Sequence, residues 1–122
     1  IDINRLPHDF ENTPELRSSD RLLFFTQSDC PVCDALFGQV LKHIDGVTGI
    51  DIYITGKKTG DDKAVRDWAK GHGINPEWVR DRRVTLNHDA GALEQLTQGE
   101  GQVPYLMRRR GDDVSPLRAS DL

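Results

Sequence analysis

Cys30 and Cys33 stand two residues apart in the stretch SDCPVCDAL and are the only cysteines of the chain, so a single intramolecular pairing exists. Thiols at this spacing can exchange a disulfide with other thiols, supply half of a zinc site, or staple a helix start without chemistry. Zinc needs four ligands, and the sequence offers no second C-x-x-C, only scattered histidines at 8, 43, 72 and 88. No metal is therefore expected. A redox pair and a structural staple stay open.

A helix that begins at the motif makes Cys30 its N-cap, puts Pro31 at the first helical position, where a missing N–H costs nothing, and places Cys33 one turn in. The Cys30 sulfur then meets backbone N–H groups and the positive end of the helix dipole, which favour thiolate over thiol. Cys30 is the expected nucleophile and Cys33, shielded by the helix, the expected resolving thiol. Asp29 lies directly before Cys30 and no Lys or Arg lies in the motif, so Cys30 is expected to ionise less readily than the most oxidising dithiols.

The elements that must hold this pair are readable around it. RLLFFT at 21–26 is a short apolar run that predicts a strand buried on both faces. Val32, Leu36, Val40 and Ile44 recur at spacing four and predict an amphipathic helix from the cysteines to Ile44. GIDIYIT at 49–55 alternates Ile50, Ile52 and Ile54 with more polar neighbours, a second strand, parallel to the first through the helix. Val65, Trp68, Ala69 and His72 share a stripe of a second helix, with the tryptophan read as core and the histidine as satisfying its terminal carbonyls. Asn75 and Pro76 open a further helical turn, which carries Trp78. RVTLNH reads as a strand, DAGALEQLT as a short helix, and PYLMRRRGDDVSPLR as a hairpin turning at Gly111 to Asp113. Residues 1–20 are expected to form an extended arm packing through Leu6, Phe10 and Leu16, and residues 21–122 the domain. This is an α/β fold with a mixed sheet.

At 122 residues there is room for one modest core. A net charge of −4 argues against nucleic acid or anionic membrane as partner. The clusters RDRR at 80–83 and RRR at 108–110 are read as solvated, the latter as charge protecting an edge strand. His88, between Asn87 and Asp89, ends a predicted strand; Asn87 or Asp89 is expected to cap the next helix, and His88 or Asp29 is a candidate for handling protons. No run is long and apolar enough for a membrane span. The start at Ile1 suggests a removed signal peptide.

LLFFTQSDCPVC followed by QVPYLMRRRGDDV resembles the thioredoxin superfamily over roughly residues 21–118, with Cys-Pro-x-Cys as in glutaredoxins. The resemblance implies a three-layer thioredoxin-like sandwich whose mixed sheet ends in an antiparallel hairpin, and thiol–disulfide exchange at Cys30 and Cys33 with cysteine-containing proteins. It implies a cis Val103–Pro104 bond that binds the substrate strand together with Pro31 and Val32. No cofactor is implied, since the dithiol carries the electrons. The acid that thioredoxins bury on the strand before the dithiol has no counterpart at Leu23 to Phe25, and Asp29 replaces their exposed tryptophan. DIYITG, DDKAVRDWAKGHGI and RVTLNHDAG further resemble a family of proteins encoded in bacterial integrating conjugative elements, beside conjugative type IV secretion genes. That likeness implies a periplasmic location and partners in the conjugation apparatus, with a non-catalytic subunit of the same machinery as the alternative.

Overall fold

A computed structural model describes residues 16–55, 62–89, 91–99, 101–118 and 122. Its elements run β1 (Arg21–Gln27), α1 (Pro31–Leu41), β2 (Gly49–Thr55), α2 (Asp62–Gly71), α3 (Pro76–Arg80), β3 (Val84–His88), α4 (Ala92–Thr97), β4 (Tyr105–Arg110) and β5 (Asp113–Pro116). One sheet orders the strands β3-β2-β1-β4-β5. β1 pairs in parallel with β2 and antiparallel with β4, so it is central, and Leu22 to Thr26 are all buried, as the apolar run requires.

The chain steps from β1 to β2 to β3 in one direction across the sheet. Right-handed crossovers that step the same way leave their helices on one face. Accordingly Phe37 and Val40 of α1, Val65, Trp68 and Ala69 of α2, and the partly buried Trp78 of α3 join Leu22, Phe24, Ile50, Ile52 and Ile54 in one cluster. Phe37 is its wedge, with its ring centroid 5.5 Å from Phe24 on β1 and 5.2 Å from Trp68 on α2. Burying one such ring is worth about 2–3 kcal/mol. The other face carries a smaller cluster of Leu23, Phe25 and Met107 under Leu93 of α4. The hairpin turns at Gly111, whose φ of +60° is the left-handed conformation that glycine adopts without strain.

Two expectations need correction. The buried stripe of α1 is Cys33, Phe37 and Val40, continued by Ile44 just past the helix end, whereas Val32 is 67% exposed. A spacing of exact fours drifts around a helix of 3.6 residues per turn, and the true seam alternates steps of four and three. Arg108 to Arg110 are not on the edge, because β5 lies outside β4. Arg108 is buried, and Arg110 donates through Nε and Nη2 to both carboxylate oxygens of Asp20, at 2.8 and 2.9 Å. The polar position Asp51 on β2 is buried as well.

Asp20 and Asp51 anchor the end of the sheet where β1 begins. Asp20 is fully buried and also accepts from the Arg17 amide at 2.8 Å. Asp51, on the face opposite Ile50 and Ile52, accepts from Arg21 Nε and Nη2 at 3.0 and 2.7 Å and from the Thr85 hydroxyl at 2.7 Å. Gly49 makes room there, since a Cβ would run into the Arg21 guanidinium. Burial alone would raise both carboxyls. Hydrogen bonds from Arg110 and the Arg17 amide outweigh it at Asp20, as those from Arg21 and Thr85 do at Asp51, and both are held below the usual carboxylate value.

Of the expected arm, Leu16 packs against the larger cluster, while Leu6 and Phe10 lie outside the described residues. Among the described residues no helix is long and apolar enough to cross a membrane.

Candidate active site at the carboxyl end of the central strand

β1 ends at Gln27, and a turn leads into α1 through Asp29, whose φ of 57° is left-handed. Asp tolerates this conformation better than most side chains, which gives the residue a structural reason to stand there. Cys30 is the N-cap of α1 in extended conformation, with Pro31 at the first helical position. The Cys33 amide donates to the Cys30 sulfur at 3.1 Å, one of the orphan N–H groups of the helix start satisfied by a sulfur in place of the usual oxygen.

The two sulfurs are bonded at 2.10 Å with Cα atoms 5.2 Å apart. Cys33 is completely buried under the helix, while Cys30 is part-exposed between the exposed Asp29 and Pro31. An incoming thiolate therefore reaches one sulfur and not the other. Val32, predicted as core, stands in solvent beside the motif instead.

The Val103–Pro104 bond is cis. β1 and β4 pair as far as Phe25 with Tyr105, so Pro104 follows opposite Thr26, at the same end of the sheet as the cysteines. Pro104 shares a groove of about 370 Å³ with Leu36 of α1, and Val103 packs against the smaller cluster on the other face. The approach to this bond is tied to α4: the Thr97 hydroxyl donates to the Leu93 carbonyl at 2.6 Å and accepts from the Gly101 amide at 2.8 Å. The sequence residues brought to one end are thus Asp29, Cys30, Pro31, Val32, Cys33, Val103 and Pro104.

His88 lies at the same end of the sheet but on β3, with β2 between it and β1, about 10 Å across two strand spacings. Its Nε2 is 3.1 Å from the Asp62 carboxylate at the start of α2. The N-cap of α4 is Gly91 rather than Asn87 or Asp89, and it makes no side-chain cap; Asp89 instead reaches in from before the helix to accept from the Leu93 amide at 2.9 Å, while the Asn87 amide donates to the Ile52 carbonyl and the Thr85 hydroxyl.

Sequence reasoning missed Asp34 and His72 as neighbours of the motif. His72 does satisfy a terminal carbonyl of α2, its Nδ1 lying 2.7 Å from Trp68 O, but its Nε2 also lies 2.7 Å from Asp34 in the first turn of α1. The signal was present: His72 shares the buried stripe of α2, the stripe that faces α1. Among the described residues no three His, Cys, Asp or Glu side chains group to hold a metal ion.

A parallel β-α-β unit with a Cys-x-x-Cys pair at its helix start, followed by an antiparallel hairpin that opens on a cis proline, defines a thioredoxin-like fold. Solved structures share it. The chain is similar to the secreted Mycobacterium tuberculosis disulfide oxidoreductase homologous to E. coli DsbE, with a TM-score of 0.50 at 18% identity over 82% of this chain and 69% of that one. It is similar to the exposed lipoprotein thioredoxin of Streptococcus pneumoniae, with a TM-score of 0.55 at 15% identity over 86% and 81%. StoA from Bacillus subtilis gives 0.51 at 16% identity over 86% and 80%. At these identities the likeness speaks for the fold. No protein-family model matches the chain, and no curated protein sequence does.

Proposed function

We propose that the chain is a thiol–disulfide oxidoreductase acting on cysteine-containing proteins. The observation that carries this reading is the asymmetric disulfide at the cap of α1, with Cys30 reachable and Cys33 buried. A substrate thiolate attacks the Cys30 sulfur, the Cys30–Cys33 bond breaks, and Cys33 leaves as a thiolate that takes up a proton. A second substrate thiolate then attacks the substrate sulfur bonded to Cys30. The substrate leaves with a disulfide and the enzyme with two thiols, two electrons having passed between them. The reverse sequence reduces a substrate disulfide. Helix-start N–H groups stabilise the charge on Cys30 when it leaves or attacks.

Pro31, Val32, Val103 and Pro104 form the surface against which the substrate strand lies. Asp29, next to Cys30, passes thiol protons to and from water; His88, held by Asp62 two strands away, is too distant to do so directly. A bonded pair and the likeness to a secreted and an exposed protein support an exported, oxidising setting, the periplasm. The resemblance of DIYITG, DDKAVRDWAKGHGI and RVTLNHDAG to proteins of integrating conjugative elements supports substrates within a conjugative secretion apparatus.

The test is capture. In a Cys33→Ser variant the Cys30 thiolate opens a substrate disulfide and the mixed disulfide cannot be resolved, so non-reducing gels show covalent adducts with scrambled, disulfide-bonded ribonuclease and, in a conjugating host, with exported disulfide-bonded proteins. No adduct, together with no insulin reduction and no refolding of scrambled ribonuclease by the native protein, overturns the enzymatic reading in favour of a non-catalytic subunit.

A further inference from the structure

The ring of His72 is fixed on three sides. It stacks on Trp68 at 4.1 Å and 18°, it meets the edge of Phe37 at 5.9 Å and 80°, and each of its nitrogens faces an acceptor at 2.7 Å, Trp68 O at Nδ1 and Asp34 Oδ1 at Nε2. A carbonyl can only accept, so Nδ1 carries the one proton a neutral ring possesses. The bond at Nε2 then requires a further proton, on the ring or on the carboxyl. The His72–Asp34 pair is bonded only as a unit that holds this proton and has no net charge.

Asp34 is not an arbitrary acid. It follows Cys33 directly, and its amide donates to the Cys30 carbonyl at 3.0 Å, one helical turn from the nucleophile. A cleft along this flank is lined by Ser28, Asp29, Asp34, Asp67, Trp68 and His72, with no Lys or Arg among its described lining residues. The charged groups that share this cleft with His72 are Asp34 from α1, which is bonded to it, Asp29 from the turn before α1, and Asp67 from α2, the last engaged by Lys63 at 3.4 Å. An uncompensated carboxylate at Asp34 would oppose the thiolate of Cys30 as a like charge opposes any anion at close range.

We propose that His72 is a positioning residue for the dithiol: by holding Asp34 in a pair without net charge, it keeps an acid charge off the first turn of α1 and so sets the balance between the disulfide and the thiolate form of Cys30. The inference rests on the redox reading of the pair. It also gives the site the charge management that the apolar strand Leu23 to Phe25 does not provide.

The test is the thiol–disulfide equilibrium with glutathione, read for the native protein, His72→Gln, and the double variant His72→Gln/Asp34→Asn. Gln keeps a donor for Asp34 but holds no extra proton, so the carboxylate is left as an uncompensated anion and the equilibrium moves toward the disulfide, about threefold. Adding Asp34→Asn removes that anion and returns the equilibrium to within about a factor of 1.5 of the native value. A structural tether predicts the opposite, the double variant being at least as disturbed as the single one. His72→Gln without a shift, or a double variant without recovery, overturns this inference while the redox reading stands. No exchange with glutathione in the native protein overturns both. Partial exposure of both side chains, 21% and 47%, keeps the substitutions compatible with folding, which far-ultraviolet dichroism confirms.

Discussion

At the amino end of β1, Asp20 and Arg21 are each locked into a two-pronged ion pair, with Arg110 and Asp51 respectively. At the carboxyl end, roughly 20 Å along the strand, Asp29 and Asp34 line an open cleft and the Cys30 sulfur is part-exposed. One strand thus ends in two kinds of polar chemistry. Where charge is permanent it is bonded on several sides and buried, because an ion taken from water must recover its hydration from fixed partners. Where charge must come and go, as on a thiol that becomes a thiolate, the surroundings stay partly wet and can take up a proton. Of the arginine run on β4, Arg108 is buried and Arg110 belongs to the first kind, while Arg109 is exposed and only approaches Asp51 at 4.0 Å. The run pairs with the start of β1, and its guanidinium groups lend nothing to the cysteines.

The difference is open to being broken from either end. The largest effect expected is at the thiols. Cys30→Ser removes the reachable sulfur and should lower insulin reduction by at least about a thousandfold, to the uncatalysed background. Its stability cost should be small by comparison, about 2 kcal/mol for a disulfide closing so short a loop, read as a shift in urea midpoint. At the other end the ranking reverses. Asp20→Ala strips Arg110 of its carboxylate and should cost about 3 kcal/mol, a fall in melting temperature of about 10 °C. The glutathione equilibrium of the cysteines should not move. If Asp20→Ala shifts that equilibrium as strongly as it shifts melting, the two ends are coupled and the division fails.

What could be read from the sequence follows the same line. Contacts closed within one helical turn were legible: Cys30 capping α1 with Pro31 behind it, Asn75 accepting from the Glu77 amide, Gly111 at the hairpin. Such signals depend on a few neighbouring residues and survive any uncertainty about register. The pairs that organise each end did not have that property. Arg110 meets Asp20 across 90 positions, Arg21 meets Asp51 across 30, and His72 meets Asp34 across 38. Each exists only once strands are in register and helices share a face. An acid such as Asp51 inside an isoleucine-rich strand therefore carries no local sign of its environment. Its burial becomes intelligible only with Arg21 and Thr85 beside it.

The mildest probe is proton concentration, which acts on the ion-pair end without altering a residue. Asp20 and Asp51 both titrate below their ordinary value of 3.8 in the folded protein. Between that value and the depressed ones the unfolded chain binds more protons than the native one, so their contribution is present at higher pH and is lost as pH falls through this window. The urea midpoint of the disulfide-bonded protein should hardly change from neutral pH down to about pH 5, then fall progressively below about pH 4. Asp51→Asn should be less stable at neutral pH and lose less on acidification, because one of the two carboxylates that must be protonated is gone. An unchanged acid slope in that variant would mean that the Arg21 pairing does not hold Asp51 ionised. The contrast between the two ends of β1 would then rest on Asp20 and Arg110 alone.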